Sequence, residues 1–163
     1  MSDRYKIRQK LISIGDDFWI ENQHGQKVYK VDGKAIRLRK TLEFEDMNGR
    51  KLAQIKERLL AIKDTMVIED ANGKDIATVK KALIAPLRDK WNVNVKGGLN
   101  LVVQGNILDL EYDIKQGHRK VAEVSKKWFT ITDTYGVDIE EDQNHILILA
   151  IAIAIDMMAH DED

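Results

Sequence analysis

A run of ten consecutive apolar residues near the end of the chain, ILILAIAIAI from Ile146 to Ile155, is the feature that most constrains the fold. A membrane-spanning helix needs about 20 mostly apolar residues, and runs of about 10–14 are more often buried core helices. Asp142 and Asp156 bracket this run closely, so a membrane span is the least favoured interpretation. The rest of the chain must therefore remove a fully apolar surface from water.

The apolar run fits two kinds of secondary structure. Alanines at 150, 152 and 154 alternate with larger apolar residues, which is the period-two pattern of a strand. The length from Asp142 to Ala159 favours a helix instead, and the acidic cluster Glu140 to Asp142 would lie at the positive end of its dipole. Periodicity leaves both open. Because a helix that is apolar all round is a buried helix, we expect a central helix at about residues 142–159.

Three segments of the first half repeat one hairpin pattern: FWIENQHGQKVYKV, LEFEDMNGRKLAQI and MVIEDANGKDIATV. Their glycines, Gly25, Gly49 and Gly73, recur at intervals of 24 residues. In the second and third copies Asn-Gly marks the turn, which predicts positive φ at both residues of a tight hairpin. Such self-similarity predicts repeated strand–turn–strand units.

Further strand patterns follow in the second half: WNVNVK, LNLVVQ, NILDLEY, HRKVAEVSK, WFTIT and YGVDIE. We count about twelve strands between residues 17 and 140. Barrel diameter grows with strand number, and a barrel larger than eight strands leaves space that side chains from the wall do not fill. The sequence therefore predicts a mainly β, single-domain fold over residues 1–163, with about twelve antiparallel strands closed around a hydrophobic C-terminal helix.

Composition and motifs argue against several classes of function. Lys and Arg number 26 against 27 Asp and Glu, so no overall field favours nucleic acid. The chain has no Cys and a charged beginning, MSDRYKIRQK, which fit a cytoplasmic protein. The four His lack metal-ligand spacing, the serines lie outside any GxSxG pattern, and no Walker A or GxGxxG sequence occurs. We therefore expect no enzyme, no cofactor and no metal site.

Three stretches resemble the LURP-one-related family and its small bacterial members: FWIENQHGQKVYKVDGKAI, LEFEDMNGRKLAQIKER and YGVDIEEDQNHILILAIAIAID. That family shares the tubby C-terminal-like fold with phospholipid scramblases, so the resemblance implies a twelve-stranded barrel around a C-terminal hydrophobic helix. In the wider superfamily, tubby domains bind phosphoinositide head groups through surface Lys and Arg. The resemblance thus implies an anionic membrane lipid, bound peripherally, as the partner. Scrambling is disfavoured because no Cys is present for palmitoylation.

Basic residues are the candidates for holding a phosphate head group, Arg through paired hydrogen bonds and Lys as a point charge. The alternative is that charges on outward strand faces prevent edge pairing and keep the protein soluble. A second possible function is a protein-interaction or regulatory module of unknown partner without lipid binding. The candidate head-group residues are Arg37, Arg39, Lys80, Lys81, Lys126 and Lys127.

Overall fold

The computed structural model describes residues 2–8, 17–33, 41–57, 65–82, 89–130 and 133–159. Within these ranges, twelve antiparallel strands form a closed barrel around one helix, which confirms the predicted fold class. Each strand pairs with its neighbours along the chain, and the first strand closes the barrel against the last. The elements are β1 (Ser2–Arg8), β2 (Phe18–Glu21), β3 (Lys27–Asp32), β4 (Thr41–Asp46), β5 (Lys51–Glu57), β6 (Thr65–Asp70), β7 (Asp75–Lys80), β8 (Lys90–Val95), β9 (Leu101–Asn106), β10 (Glu111–Gln116), β11 (Arg119–Ser125), β12 (Thr134–Glu140) and α1 (His145–Ala159).

Helix α1 fills the interior of the barrel. All residues from Ile148 to Ile155 are at most 1% exposed, so the helix is buried on every side. It lies against β5, β6, β7 and β12. The apolar run is therefore a helix and not a strand, as its length predicted. In the described part of the chain, no helix has both the length and the hydrophobicity needed to cross a bilayer.

The helix begins later than predicted because a side chain caps it. Asn144 Oδ1 accepts the backbone N–H of Leu147 at 3.1 Å, which satisfies one of the free donors of the first turn. The expected start was about residue 142, and the acidic cluster expected in the first turn lies before the helix instead. Glu140 ends β12 instead, and Asp142 accepts two hydrogen bonds from Arg119, both at 2.9 Å.

The repeated hairpins are present, but their turns differ from the predicted type. Only the glycines have positive φ, of 77° to 82°, whereas Asn48 and Asn72 do not. In each hairpin the strand register shifts beside the turn. A side-chain oxygen that accepts two backbone N–H groups, at 2.9–3.0 Å, holds the turn in this bulged form. The accepting residues are Asn22, Asp46 and Asp70.

The expectation that strands begin near residue 17 is wrong, because β1 already forms at Ser2–Arg8. This strand pairs with β12 over all seven of its residues. Its apolar pattern is short: Tyr5 and Ile7 point into the barrel, between charged residues that point outward. Two inward apolar side chains in a charged segment are a weak signal, which is why the sequence did not reveal this strand.

The prediction of a strand at WFTIT is wrong for residues 128–130, which lie outside any strand. Residues 131 and 132 lie outside the described part of the chain. Trp128 and Phe129 instead pack on the outer face of β12, over Gly136. A Cβ atom at Gly136 would lie 2.5 Å from Trp128 Cε3 and 2.9 Å from Phe129 Cε2. A glycine on β12 is thus what lets these rings approach the barrel wall so closely.

Candidate functional site

The contact between β1 and β2 is the thinnest seam of the described barrel wall. The two strands share one register pair, Lys6 with Glu21, whereas β1 and β12 share seven. Strand β2 has only four residues and ends at Glu21, while β1 continues past this point through Tyr5 to Ser2. The wall therefore opens between the first half of β1 and the turn that follows β2.

Two adjoining concave regions occupy this opening. The larger, which we name the seam groove, has a volume of about 520 Å³. The smaller, the aromatic recess, has a volume of about 230 Å³. The two share the lining residues Arg4, Tyr5, Asn22 and Gln23. The seam groove is also lined by Ser2, Lys6, Gly25, Phe129 and Asp138, and the recess by Asp3, His24, Val28 and Tyr29.

Arg4 is held on the wall of the seam groove by two contacts. Its Nη2 donates to Asp138 Oδ2 at 3.0 Å, and its guanidinium lies 4.0 Å from the centre of the Trp128 ring. Both contacts favour the charged planar group and restrict its rotamers. Arg4 therefore presents an ordered cation to the groove.

Lys6 stands two residues further along the same outward face of β1. Its Nζ lies 3.0 Å from Glu21 Oε2 and 5.9 Å from the centre of the Phe129 ring. The Lys6 side chain is only 22% exposed, so it too is confined at the groove. Since residues i and i+2 of a strand share a face, β1 places two cations side by side.

The recess lies beside a hydrogen-bonded network at the start of α1. His145 Nε2 donates to the carbonyl oxygen of Glu140 at 3.1 Å. Nδ1 is then the hydrogen-bond acceptor, and the Tyr5 hydroxyl donates to it at 2.8 Å. Burial, followed by the neighbouring Tyr29 and Asp3, raises the pKa of Tyr5 to about 12. The Tyr5 phenol thus remains a neutral hydrogen-bond donor at physiological pH.

Alkaline pH should destabilise the fold through its buried phenols. Burial raises the pKa of Tyr112 and of Tyr135 well above 10, with the nearby Asp156 as a further cause. A group whose pKa is raised by folding gives stability that is complete below its ordinary pKa and is lost as pH rises. We expect the free energy of unfolding to fall above pH 10, by up to about 1.4 kcal/mol per pH unit for each phenol. Guanidinium melts between pH 9 and 11.5 measure this slope.

The matched control is Tyr112→Phe, which removes one phenol and keeps the ring. Its slope above pH 10 should be smaller than that of the unmodified chain. An unfolding free energy that is constant from pH 9 to 11.5 would contradict the expected role of these phenols.

The structure places two of the three predicted head-group pairs, and neither lines the seam groove. Lys80 ends β7, and Lys81 Nζ lies 3.5 Å from the carbonyl oxygen of Met158 in the last turn of α1. Lys126 and Lys127 follow β11, and three strands separate β11 from β7. These four lysines lie at the barrel end where α1 finishes, whereas the recess lies where α1 begins. The structure does not bring the pairs together.

Arg37 and Arg39, the third predicted pair, lie outside the described residues. The residues that sequence reasoning missed are Arg4 and Lys6, which belong to the unpredicted strand β1. The alternation of charged and apolar residues in RYKIR is the signal that could have found them. Trp128 and Phe129 were placed in a predicted strand, although they pack over the outside of the wall.

The fold and site together define a helix-filled antiparallel β-barrel with a polar groove at one seam of its wall. The model of the LURP-one-related family matches residues 4–156, and the chain belongs to this family, as its resemblance indicated. The uncharacterized protein YxjI of Bacillus subtilis (strain 168) is 30% identical over 69 residues, which are 42% of this chain and 43% of YxjI. The match thus spans less than half the length of this curated relative.

A protein of Arabidopsis thaliana solved by X-ray crystallography is similar to this chain at 19% sequence identity. The superposition covers 74% of this chain and 86% of the plant protein, with a TM-score of 0.43.

Proposed function

We propose that this LURP-one-related barrel is a non-enzymatic, tubby-like module that binds the head group of an anionic phospholipid in the seam groove. The observation that carries the proposal is the pair Arg4 and Lys6, two ordered cations on one face of β1 that both line the groove. A location at the membrane surface follows from a lipid ligand and is part of the proposal.

The contacts of the two cations leave donors for a phosphate. A guanidinium has five N–H donors, and the hydrogen bond from Arg4 to Asp138 uses Nη2. The Lys6 ammonium has three donors and a carboxylate, Glu21, on one side. Charge-assisted hydrogen bonds to phosphate are roughly twice as strong as neutral ones. The exposed polar side of the groove therefore suits a phosphate diester.

The Tyr5 phenol supports the non-enzymatic part of the proposal. Its raised pKa keeps the hydroxyl protonated, so it is a poor nucleophile at neutral pH. Its hydroxyl already donates a hydrogen bond to His145. Hydrogen bonding without proton transfer is the chemistry this arrangement suits.

Replacing both cations by glutamine, Arg4→Gln with Lys6→Gln, should weaken binding to anionic vesicles at least tenfold. Each charge-assisted contact contributes about 1.5–3 kcal/mol, and about 1.4 kcal/mol is a factor of ten. Sedimentation with phosphatidylserine-containing vesicles at several salt concentrations measures the loss.

The matched control is Lys74→Gln with Lys90→Gln, which removes the same charge at two exposed positions away from the groove. Two further double variants, at Arg37 with Arg39 and at Lys126 with Lys127, test the pairs predicted from the sequence. Unchanged binding by the Arg4 and Lys6 variant would refute the seam groove as the site. No binding of the unmodified chain to any anionic vesicle would refute lipid binding itself.

One observation favours a second candidate function, a protein-interaction module. On the side of β1 that faces β2, the described strand pairing joins Lys6 to Glu21. It includes none of the residues from Ser2 to Tyr5. An unpaired stretch of strand edge is a template for an extended peptide, which would add to the sheet through its backbone. Peptide addition of this kind would tolerate the two glutamine substitutions that are expected to weaken lipid binding.

A further inference from the structure

The aromatic recess adds to the groove a carboxylate that faces solvent. The Asp3 side chain is 48% exposed, and Asp3 Oδ2 lies 3.7 Å from Nδ1 of His145. The rings of Tyr5 and Tyr29 also line the recess, with their centroids 6.2 Å apart. Carboxylates and aromatic faces are the groups that attract an ammonium ion. The recess is therefore suited to a cation, unlike the groove that it adjoins.

The charges around the two openings do not favour a ligand that carries only negative charges. Arg4 faces Asp138 and Lys6 faces Glu21, each at 3.0 Å, so both cations already have a carboxylate neighbour. Asp3 adds a further negative charge. A head group with several phosphates would meet two cations and three carboxylates, which is a net repulsive environment. A head group that carries its own positive charge would complement both sides.

The two openings adjoin each other along β1. The groove and the recess share four lining residues, among them Arg4, which borders Asp3 in the chain. Adjacent residues of a strand point to opposite faces, so Arg4 and Asp3 present opposite charges on either side of the β1 edge. A phosphate on the Arg4 side and an ammonium on the Asp3 side would then belong to the same small head group.

We infer that the head group bound in the groove carries a primary ammonium beside its phosphate, with the phosphate on Arg4 and Lys6 and the ammonium against Asp3 in the aromatic recess. The chemical class is an amino-alcohol phosphodiester, of which phosphatidylserine is the anionic lipid form. This inference rests on the proposed function and narrows its ligand.

The experiment compares vesicles of phosphatidylcholine that contain equal fractions of either phosphatidylserine or phosphatidylglycerol. Both added lipids have one phosphate and the same net charge, but phosphatidylglycerol lacks both the ammonium and the carboxylate of serine. We expect the unmodified chain to bind the phosphatidylserine vesicles at least fivefold more tightly. Asp3→Asn, which keeps the side-chain shape, should remove this preference and bring the two affinities close to each other. Asp3→Glu should retain part of the preference.

Calorimetry with soluble ligands separates a head group from free phosphate. Glycerophosphoserine should bind at least tenfold more tightly than inorganic phosphate, and Asp3→Asn should reduce that ratio. Equal binding of the two would show a phosphate site without ammonium recognition and would overturn the inference. Thermal unfolding and circular dichroism of each variant check that the barrel is intact.

The possible failures can be told apart. Equal binding to phosphatidylserine and phosphatidylglycerol, both lost in the Arg4 and Lys6 variant, would overturn the ammonium inference and leave the proposed function standing. Tighter binding to vesicles that contain a doubly phosphorylated phosphoinositide would also overturn it. No binding to any of these vesicles would overturn the proposed function, and the inference with it.

Discussion

Replacing Ile151 by alanine should lower the free energy of unfolding by about 2–5 kcal/mol, the range for large-to-small changes in a core. Ile151 lies in the middle of α1 and is 0% exposed. The lost side chain would leave a cavity between the helix and a wall of hydrogen-bonded strands. A closed barrel cannot collapse onto such a cavity without distorting its register, so we expect the upper part of the range.

Chemical denaturation of the Ile151→Ala variant measures this loss, with Leu99→Ala as the control. Leu99 is 69% exposed in a turn, and its truncation should change stability by less than about 0.5 kcal/mol. A loss below about 1 kcal/mol for Ile151→Ala would mean that the helix is not packed as the filler of the barrel. Comparison of the two variants separates the cost of a buried cavity from the effect of shortening an exposed aliphatic side chain to alanine.

The barrel could be predicted because its strongest signals are local and repeated. The apolar run was too short for a membrane and too apolar for a surface, so it required an enclosure. The interval between Gly25, Gly49 and Gly73 indicated hairpins, and strand count then implied a barrel wide enough to hold a helix. Each step used residues that are near one another in the sequence.

The candidate site could not be predicted because it depends on contacts between distant residues. Arg4 meets Asp138 across 134 positions of the chain, and this contact exists only after β1 and β12 close the barrel. The sequence shows which residues are basic, but it does not show which of them face a carboxylate in the folded protein. The predicted lysines illustrate this, since Lys81 lies against the end of α1 and not at the groove.

The start of α1 and the type of the hairpin turns also could not be predicted, for a physical reason. An acidic cluster before an apolar run is a common sign of a helix start, yet Asn144 is the residue that caps α1. Similarly, Asn-Gly permits a turn with two residues of positive φ, but the side chain of Asp46 or Asp70 stabilises the bulged form. In both cases one side-chain hydrogen bond decided between conformations that the sequence allows.

Replacing Gly136 by alanine should both destabilise the barrel and weaken ligand binding. The added Cβ would lie 2.5 Å from the Trp128 ring and 2.9 Å from the Phe129 ring, so the rings must move. Such overpacking costs about 1–3 kcal/mol. Because Arg4 stacks on Trp128 and Phe129 lines the groove, the displaced rings would also disorder the binding surface. Denaturation and vesicle sedimentation on the same variant measure the two effects.

A double-mutant cycle identifies the cause of the Gly136→Ala effect. In a Trp128→Ala background the nearest clash is gone, so the same substitution should cost clearly less, and non-additivity is expected of residues in contact. Gly98→Ala is the control, since its Cβ would meet only the Val95 side chain, with Cγ1 nearest at 3.3 Å, and neither glycine has a positive φ. If the cost of Gly136→Ala were the same in both backgrounds, the Trp128 ring would not be its cause. The groove would then not depend on how Trp128 lies on β12.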